Sequence, residues 1–171
     1  MPRNDWFRLI LLSLLWGGSF FFVEVALRGL PVLTVVWLRV ALAAAMLAVA
    51  LRVMGVAFPG RAVWPALLVM GFLNNAVPFT LFALAQGQIT GALASVLNAT
   101  TPLFTVIVAH FATSDERITR AKALGLAFGF AGVVVMMTGA EFSGAGLAKL
   151  ACLLAAVFYG LASVWGRRFR R

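Results

Sequence analysis

The chain has 171 residues, 63% of them hydrophobic and 11% charged, with a mean hydropathy of +1.03. A soluble domain carries nearer a quarter of its residues charged, so these proportions exclude one and call for lipid. The net charge of +9 does not indicate nucleic-acid binding, because the basic residues form no continuous face and sit in short segments between apolar runs.

Six apolar segments follow one another, at 7–27, 33–53, 63–84, 91–112, 120–140 and 146–166. Each is near the roughly 20 residues that cross a hydrocarbon core as a helix. The runs are continuous and lack the alternation of a barrel strand, so the expected fold is an all-α membrane protein, a polytopic bundle of six transmembrane helices. Arg3 and Arg8 precede the first segment, but it outruns a signal-peptide core and has no Ala-x-Ala site. It reads as a retained helix. Breakers and charges separate the rest: Arg28-Gly29-Leu30-Pro31, Pro59-Gly60-Arg61, Gln86-Gly87-Gln88, Asp115-Glu116-Arg117 and Glu141-Phe142-Ser143-Gly144.

Lys and Arg set the expected orientation. Arg3, Arg8, Arg52, Arg61, Arg117, Arg120, Lys122, Arg167, Arg168, Arg170 and Arg171 fall on one side, against Arg28 and Lys149 on the other. The positive-inside rule makes the first side cytoplasmic, with both ends of the chain inside. The chain stops at Arg167-Arg168-Phe169-Arg170-Arg171, straight after helix six. That is either a basic cytoplasmic stop or the place where further helices followed.

Polar groups within a bilayer are candidate functional residues. The third helix carries Asn74, Asn75 and Pro78, and the fourth carries Asn98 and Pro102. A proline leaves the carbonyl four residues earlier without its helical donor, so Pro78 frees that of Asn74 and Pro102 that of Asn98. At 1.5 Å rise per residue Asn98 lies roughly 10 Å, and Asn75 roughly 14 Å, below the outer helix ends. Kinked helices with polar groups at such depth build transporter sites. The plainer alternative is interhelical asparagine hydrogen bonding. Arg39 lies about as deep as Asn98 and calls for a cavity or an acidic partner. Glu24, near the outer end of helix one, either snorkels, pairs with Arg39 or relays protons. His110, the single histidine, is a proton relay or an interfacial structural residue. Gly17, Gly18 and Ser19 open helix one to close approach, and Gly125, Gly129 and Gly132 give helix five a small-residue packing face.

One histidine and one cysteine, Cys152, exclude a His/Cys metal cluster and an intrachain disulfide. No P-loop is present to drive nucleotide-powered pumping. Ser19 and His110 lie near opposite interfaces, which argues against an intramembrane serine protease. No cofactor is expected.

Five stretches, in order, resemble the EamA type of the drug/metabolite transporter superfamily: Leu15-Trp16-Gly17-Gly18-Ser19-Phe20, Trp37-Leu38-Arg39-Val40, Asn74-Asn75-Ala76-Val77-Pro78-Phe79, Asn98-Ala99-Thr100-Thr101-Pro102-Leu103-Phe104, and Gly125 to Val133. The resemblance implies ten helices in two inverted five-helix repeats, a central cavity, and export of amino acids, related metabolites or drugs from the inner membrane. Residues 1–140 would form the first repeat and 141–171 the start of the second, Leu153 to Gly160 echoing Leu11 to Gly17. The family often has lysine where this chain has Glu24. The expected substrate path runs along Asn74, Asn75, Asn98 and Arg39, with Trp16 and Phe79 as walls. Alternating access, with proton coupling as one option, is the implied mechanism; a non-transporting scaffold or inactive fragment is the alternative. With a missing C-terminal half, helices three and four would lack an opposing wall, so the chain alone is expected to be inactive and prone to self-association.

Overall fold

The computed structural model describes residues 3–137 and 145–170. Within them the protein is helical, with no strand. The helices are α1 (Arg3–Leu27), α2 (Val32–Val53), α3 (Trp64–Gly71), α4 (Val77–Gln86), α5 (Gly91–Asn98), α6 (Thr101–Ala112), α7 (Arg120–Met137) and α8 (Gly146–Gly166). Five stretches are long and apolar enough to cross a membrane: Asn4–Leu27, Val32–Val53, Arg61–Gln86, Gly91–Ala112 and Gly146–Phe169. They correspond to expected segments one to four and six. The expected fifth, 120–140, is helical through Met137 as α7, and its last residues lie outside the described part, as do the Glu141 to Gly144 breaker and the 140/141 boundary. The chain is a polytopic helical membrane protein.

Local sequence explains the helix ends. Pro31, extended at ψ 148°, opens α2. Gly55 closes it with the only positive φ among the described residues, +66°. The amide of Gly55 donates to Arg52 O and that of Val56 to Leu51 O, the paired bonds of a Schellman stop. Such a stop requires the left-handed residue that glycine tolerates.

Two spans are discontinuous where the prolines lead one to expect kinks. Ahead of Pro78, Phe72–Ala76 is a π-turn, so the amide of Val77 reaches back five residues to Phe72 O. The wider turn absorbs the missing proline donor while α3 and α4 remain one span. Ahead of Pro102 the helix breaks at Ala99-Thr100. Here the freed carbonyl of Asn98 does not stay open. The Thr101 hydroxyl donates to it at 2.7 Å, as the Thr100 hydroxyl does to Leu97 O.

Much of the bundle surface is apolar. Leu14, Phe22, Leu33, Met46 and Phe128 are each more than two-thirds exposed. Such a surface suits acyl chains, which satisfy no polar group and therefore require closed helices.

The core instead gathers around α8, which packs chiefly against α4 and α6. Leu97, Cys152, Ala155 and Ala94 are fully buried there. Lipid tails are as apolar as these side chains, so close van der Waals fit drives the packing. Small residues supply it: a Cβ on Gly160 would stand 3.2 Å from backbone atoms of Phe104 and Thr105. This overturns one expectation, for helices three and four do not lack a wall. The sixth span covers both, because its alanines and Gly160 let its backbone approach.

The glycine expectations divide. Gly129 meets Leu103 of α6 closely, whereas Gly17, Gly125 and Gly132 meet nothing within 4 Å. At the arginine-rich end, Trp165 Nε1 donates to Ala66 O at 3.0 Å. Arg167 pairs there with Asp115 at 3.2 Å and with Glu116.

Candidate functional site

The helices line a half-open cavity of about 830 Å³, within the range of small-molecule sites. α1 contributes Trp16 and Phe20, α2 contributes Arg39, and the π-turn contributes Asn74. Phe79, Phe82 and Gln86 enter from α4, and Ser95, Asn98, Thr101 and Thr105 from the broken fourth span. α8 closes the ring with Tyr159 and Ser163. Among the described residues α7 supplies no lining residue.

The cavity therefore collects Trp16, Arg39, Asn74, Phe79, Asn98 and Pro102 from the expected residues. Asn75 is not among the lining residues. Adjacent residues on a helix point about 100° apart, and only Asn74 faces inward; Asn75 accepts a long 3.4 Å bond from Asn74 Nδ2. Pro78 is fully buried outside the cavity. Its contribution is the π-turn that carries Asn74.

Arg39 sits over Phe79, its guanidinium carbon 3.9 Å from the ring centroid. This cation–π contact is stronger in a desolvated site than in water. Tyr159 is within electrostatic reach of Arg39 and stacks on Phe82, whose other side meets Phe20 edge-on at 5.4 Å. An aromatic layer thus crosses the cavity beside the cation. Asn98 has its carbonyl taken by Thr101, and its Oδ1 lies 3.4 Å from the same hydroxyl.

Glu24 and His110 sit elsewhere, in local structure. Glu24 Oε2 accepts a 2.7 Å hydrogen bond from the Gly91 amide at the start of α5. A carboxylate there meets the positive end of the helix dipole. Glu24 does not pair with Arg39, since it is committed to this cap. His110 Nδ1 accepts from the Ile118 amide at 3.1 Å and so fastens the connection after α6. Its ring lies edge-on to Phe111.

Gln86, Ser95, Thr101, Thr105, Tyr159 and Ser163 are polar lining residues that the sequence reading does not single out. Gln86 had served only as a span boundary and Tyr159 only as part of an internal echo. Ser95, Asn98, Thr101 and Thr105 lie three, three and four residues apart. That is the period of one helix face, and it was legible as a polar stripe. Among the described residues no group of three His, Cys, Asp or Glu side chains is placed to hold a metal ion.

Membrane-spanning helices, two of them broken beside asparagines, surround a mainly apolar, metabolite-sized cavity with a few polar groups, the form of a small-molecule pocket in a polytopic membrane protein. Residues 6–138 match the EamA-like transporter family, and the chain belongs to that family. It is 26% identical over 161 residues to the uncharacterized inner membrane transporter YedA of Escherichia coli (strain K12), an alignment covering 94% of this chain and 52% of the relative. It is 28% identical over 160 residues to an uncharacterized transporter of Archaeoglobus fulgidus, covering 91% and 56% respectively. The chain spans about half the length of these curated relatives. No solved structure matches it significantly.

Proposed function

We propose that the cavity is the substrate site of an inner-membrane exporter of small polar or amphipathic metabolites, working by alternating access. The observation that carries this reading is how Asn74 and Asn98 are engaged. Their side-chain hydrogen bonds among the described residues stay within their own spans, while both residues line the cavity. Asparagines that glued helices together would bond across them. Broken helices beside a polar site are also how transporters commonly bind solutes. The family membership and the relatives' names support transport; export is the direction that the family resemblance implies. The Lys/Arg asymmetry supports a cytoplasmic N-terminus.

Asn98→Ala tests the reading in cells producing the protein, with efflux of amino acids and cationic drugs followed beside membrane abundance. Efflux should fall at least tenfold with abundance unchanged. Unchanged efflux would refute the site. Loss of abundance in step with efflux would return the asparagines to a structural role.

A further inference from the structure

The two unusual polar groups of the cavity lie at separate places along it, and together they describe a ligand. Resting on the reading of the cavity as a substrate site, we propose that it takes an elongated organic anion, with a carboxylate at Arg39 and a hydrogen-bond donor at Gln86.

Arg39 is a cation in the cavity wall, in contact with the Phe79 ring and within electrostatic reach of Tyr159. Among the described residues no carboxylate reaches it. Asp5 is beside Arg8, Glu24 caps Gly91, and Asp115 and Glu116 hold Arg167. The planar guanidinium is suited to a two-pronged grip on a carboxylate. The contact with Phe79 holds the guanidinium in the cavity wall before a ligand arrives.

Gln86 is 8% exposed. Its Oε1 is shielded from solvent and has no hydrogen-bond partner, although Gln86 lines the cavity. A buried acceptor left without a donor is costly and uncommon. The terminal torsion of glutamine is broad, so the amide can turn this acceptor from its shielded position into the cavity, where a ligand bearing an ammonium, hydroxyl or amide N–H would satisfy it.

The spacing sets the ligand's length. Phe79, which marks the guanidinium, and Gln86 are seven residues apart on α4. That is two turns along one face, or about 10 Å. Allowing about 3 Å for a hydrogen bond at either end, the carboxylate and donor stand roughly 5–10 Å apart. Phe82 and Ala83 occupy the α4 wall between them, with Phe20 against Phe82. This apolar stretch fits methylene or ring carbons. An amino acid that must use its own α-ammonium as the donor is too short to engage both ends.

The test is binding, which requires no transport. Radiolabelled 6-aminohexanoate is titrated onto the purified chain in lipid nanodiscs and competed with glycine, hexanoate and hexylamine. Saturable binding is expected, with each competitor at least tenfold weaker. Labelled hexanoate then reports on variants. Gln86→Leu should bring hexanoate and 6-aminohexanoate within about threefold of each other, and Gln86→Glu should widen their ratio. Arg39→Gln should abolish binding of both acids while labelled hexylamine binds the variant as it binds the wild type. Because the Gln86 comparisons are ratios within one protein, and hexylamine binding reports folded Arg39→Gln protein, a partial loss of folded material does not alter the outcome. Absence of saturable binding, equal competition by glycine, or a ratio unmoved by both Gln86 variants overturns the proposal. Selective binding without flux in liposomes would overturn the transport reading and leave this assignment standing. Flux without this selectivity would do the reverse.

Discussion

Gly160 is the position where a single methyl group tells most about the bundle. In Gly160→Ala the new Cβ would stand 3.2 Å from Phe104 C, Phe104 O and Thr105 N. All three are backbone atoms of α6, so no side chain can swing aside, and α8 must retreat by a few tenths of an ångström. Overpacking of this kind costs about 1–3 kcal/mol, and backbone contacts place it in the upper half. The gain in helix propensity from Gly to Ala, about 1 kcal/mol, offsets part of that. The expected net loss is about 1–2 kcal/mol. Gly125→Ala is the control, since nothing lies within 4 Å of its Cβ; it should be neutral or stabilising by up to about 1 kcal/mol. Gly129→Ala should fall between, because it meets the flexible Leu103 side chain. Thermal unfolding of the three variants in one detergent reads the order directly. A Gly160→Ala protein as stable as Gly125→Ala would refute the close approach of α8 to α6. It would also undermine the placement of neighbouring Tyr159 in the cavity.

Glu24→Ala leaves the Gly91 amide without its acceptor and should cost about 1–3 kcal/mol. Glu24→Gln, which keeps an acceptor but loses the charge at the helix start, should cost less, about 0.3–1 kcal/mol; equal melting of Glu24→Ala and wild type would remove the cap from the argument. The carboxyl of Asp115 is held below the usual aspartate range by its own backbone amide, then by the Thr113 hydroxyl and by Arg167. Its contribution to stability is therefore full above about pH 4 and is lost as pH falls through the depressed folded value. Melting temperature should be flat from pH 8 to about 5 with respect to this group and decline below about 4, and Asp115→Asn should remove its share of that decline. Cysteines at Gln88 and Arg117 should label from opposite sides of intact membranes. Labelling of both from one side would refute the orientation inferred from Lys and Arg.

The spans were legible because lipid imposes a length and a composition that no packing detail overrides. Three of the five recognised spans, the second, third and fourth, begin and end within two residues of the sequence boundaries. The first starts three residues earlier than expected and the sixth runs three residues further. Prolines betrayed where the third and fourth helices would change, but not how. A π-turn and a threonine-capped break are different answers to the same missing N–H, decided by whether a hydroxyl stands beside the freed carbonyl. Thr101 does so for Asn98. The cavity was only partly readable. Arg39, Asn74 and Asn98 stood out because polarity in lipid is rare, whereas Gln86 hid at a span end where polarity is ordinary. Tyr159 hid because nothing in sequence placed the sixth helix against the third and fourth. Glu24 looked like a charge in search of water, and its partner turned out to be a backbone amide 67 positions away.

The two fastenings at the arginine-rich end of α8 give that helix a fulcrum. Trp165 is tied to α3 through Ala66 O, and Arg167 is clamped to the acidic connection after α6. A rod pinned near one end moves least there and most at its tip. Tyr159 lies eight residues from Arg167, about 12 Å up the rod, and Lys149 lies about 27 Å up. A tilt of about 5° around the pin sweeps the tyrosine by roughly 1 Å and the far tip by more than 2 Å. Leverage of that kind would turn a small rotation of one helix into about 1 Å of travel at the aromatic layer beside Arg39.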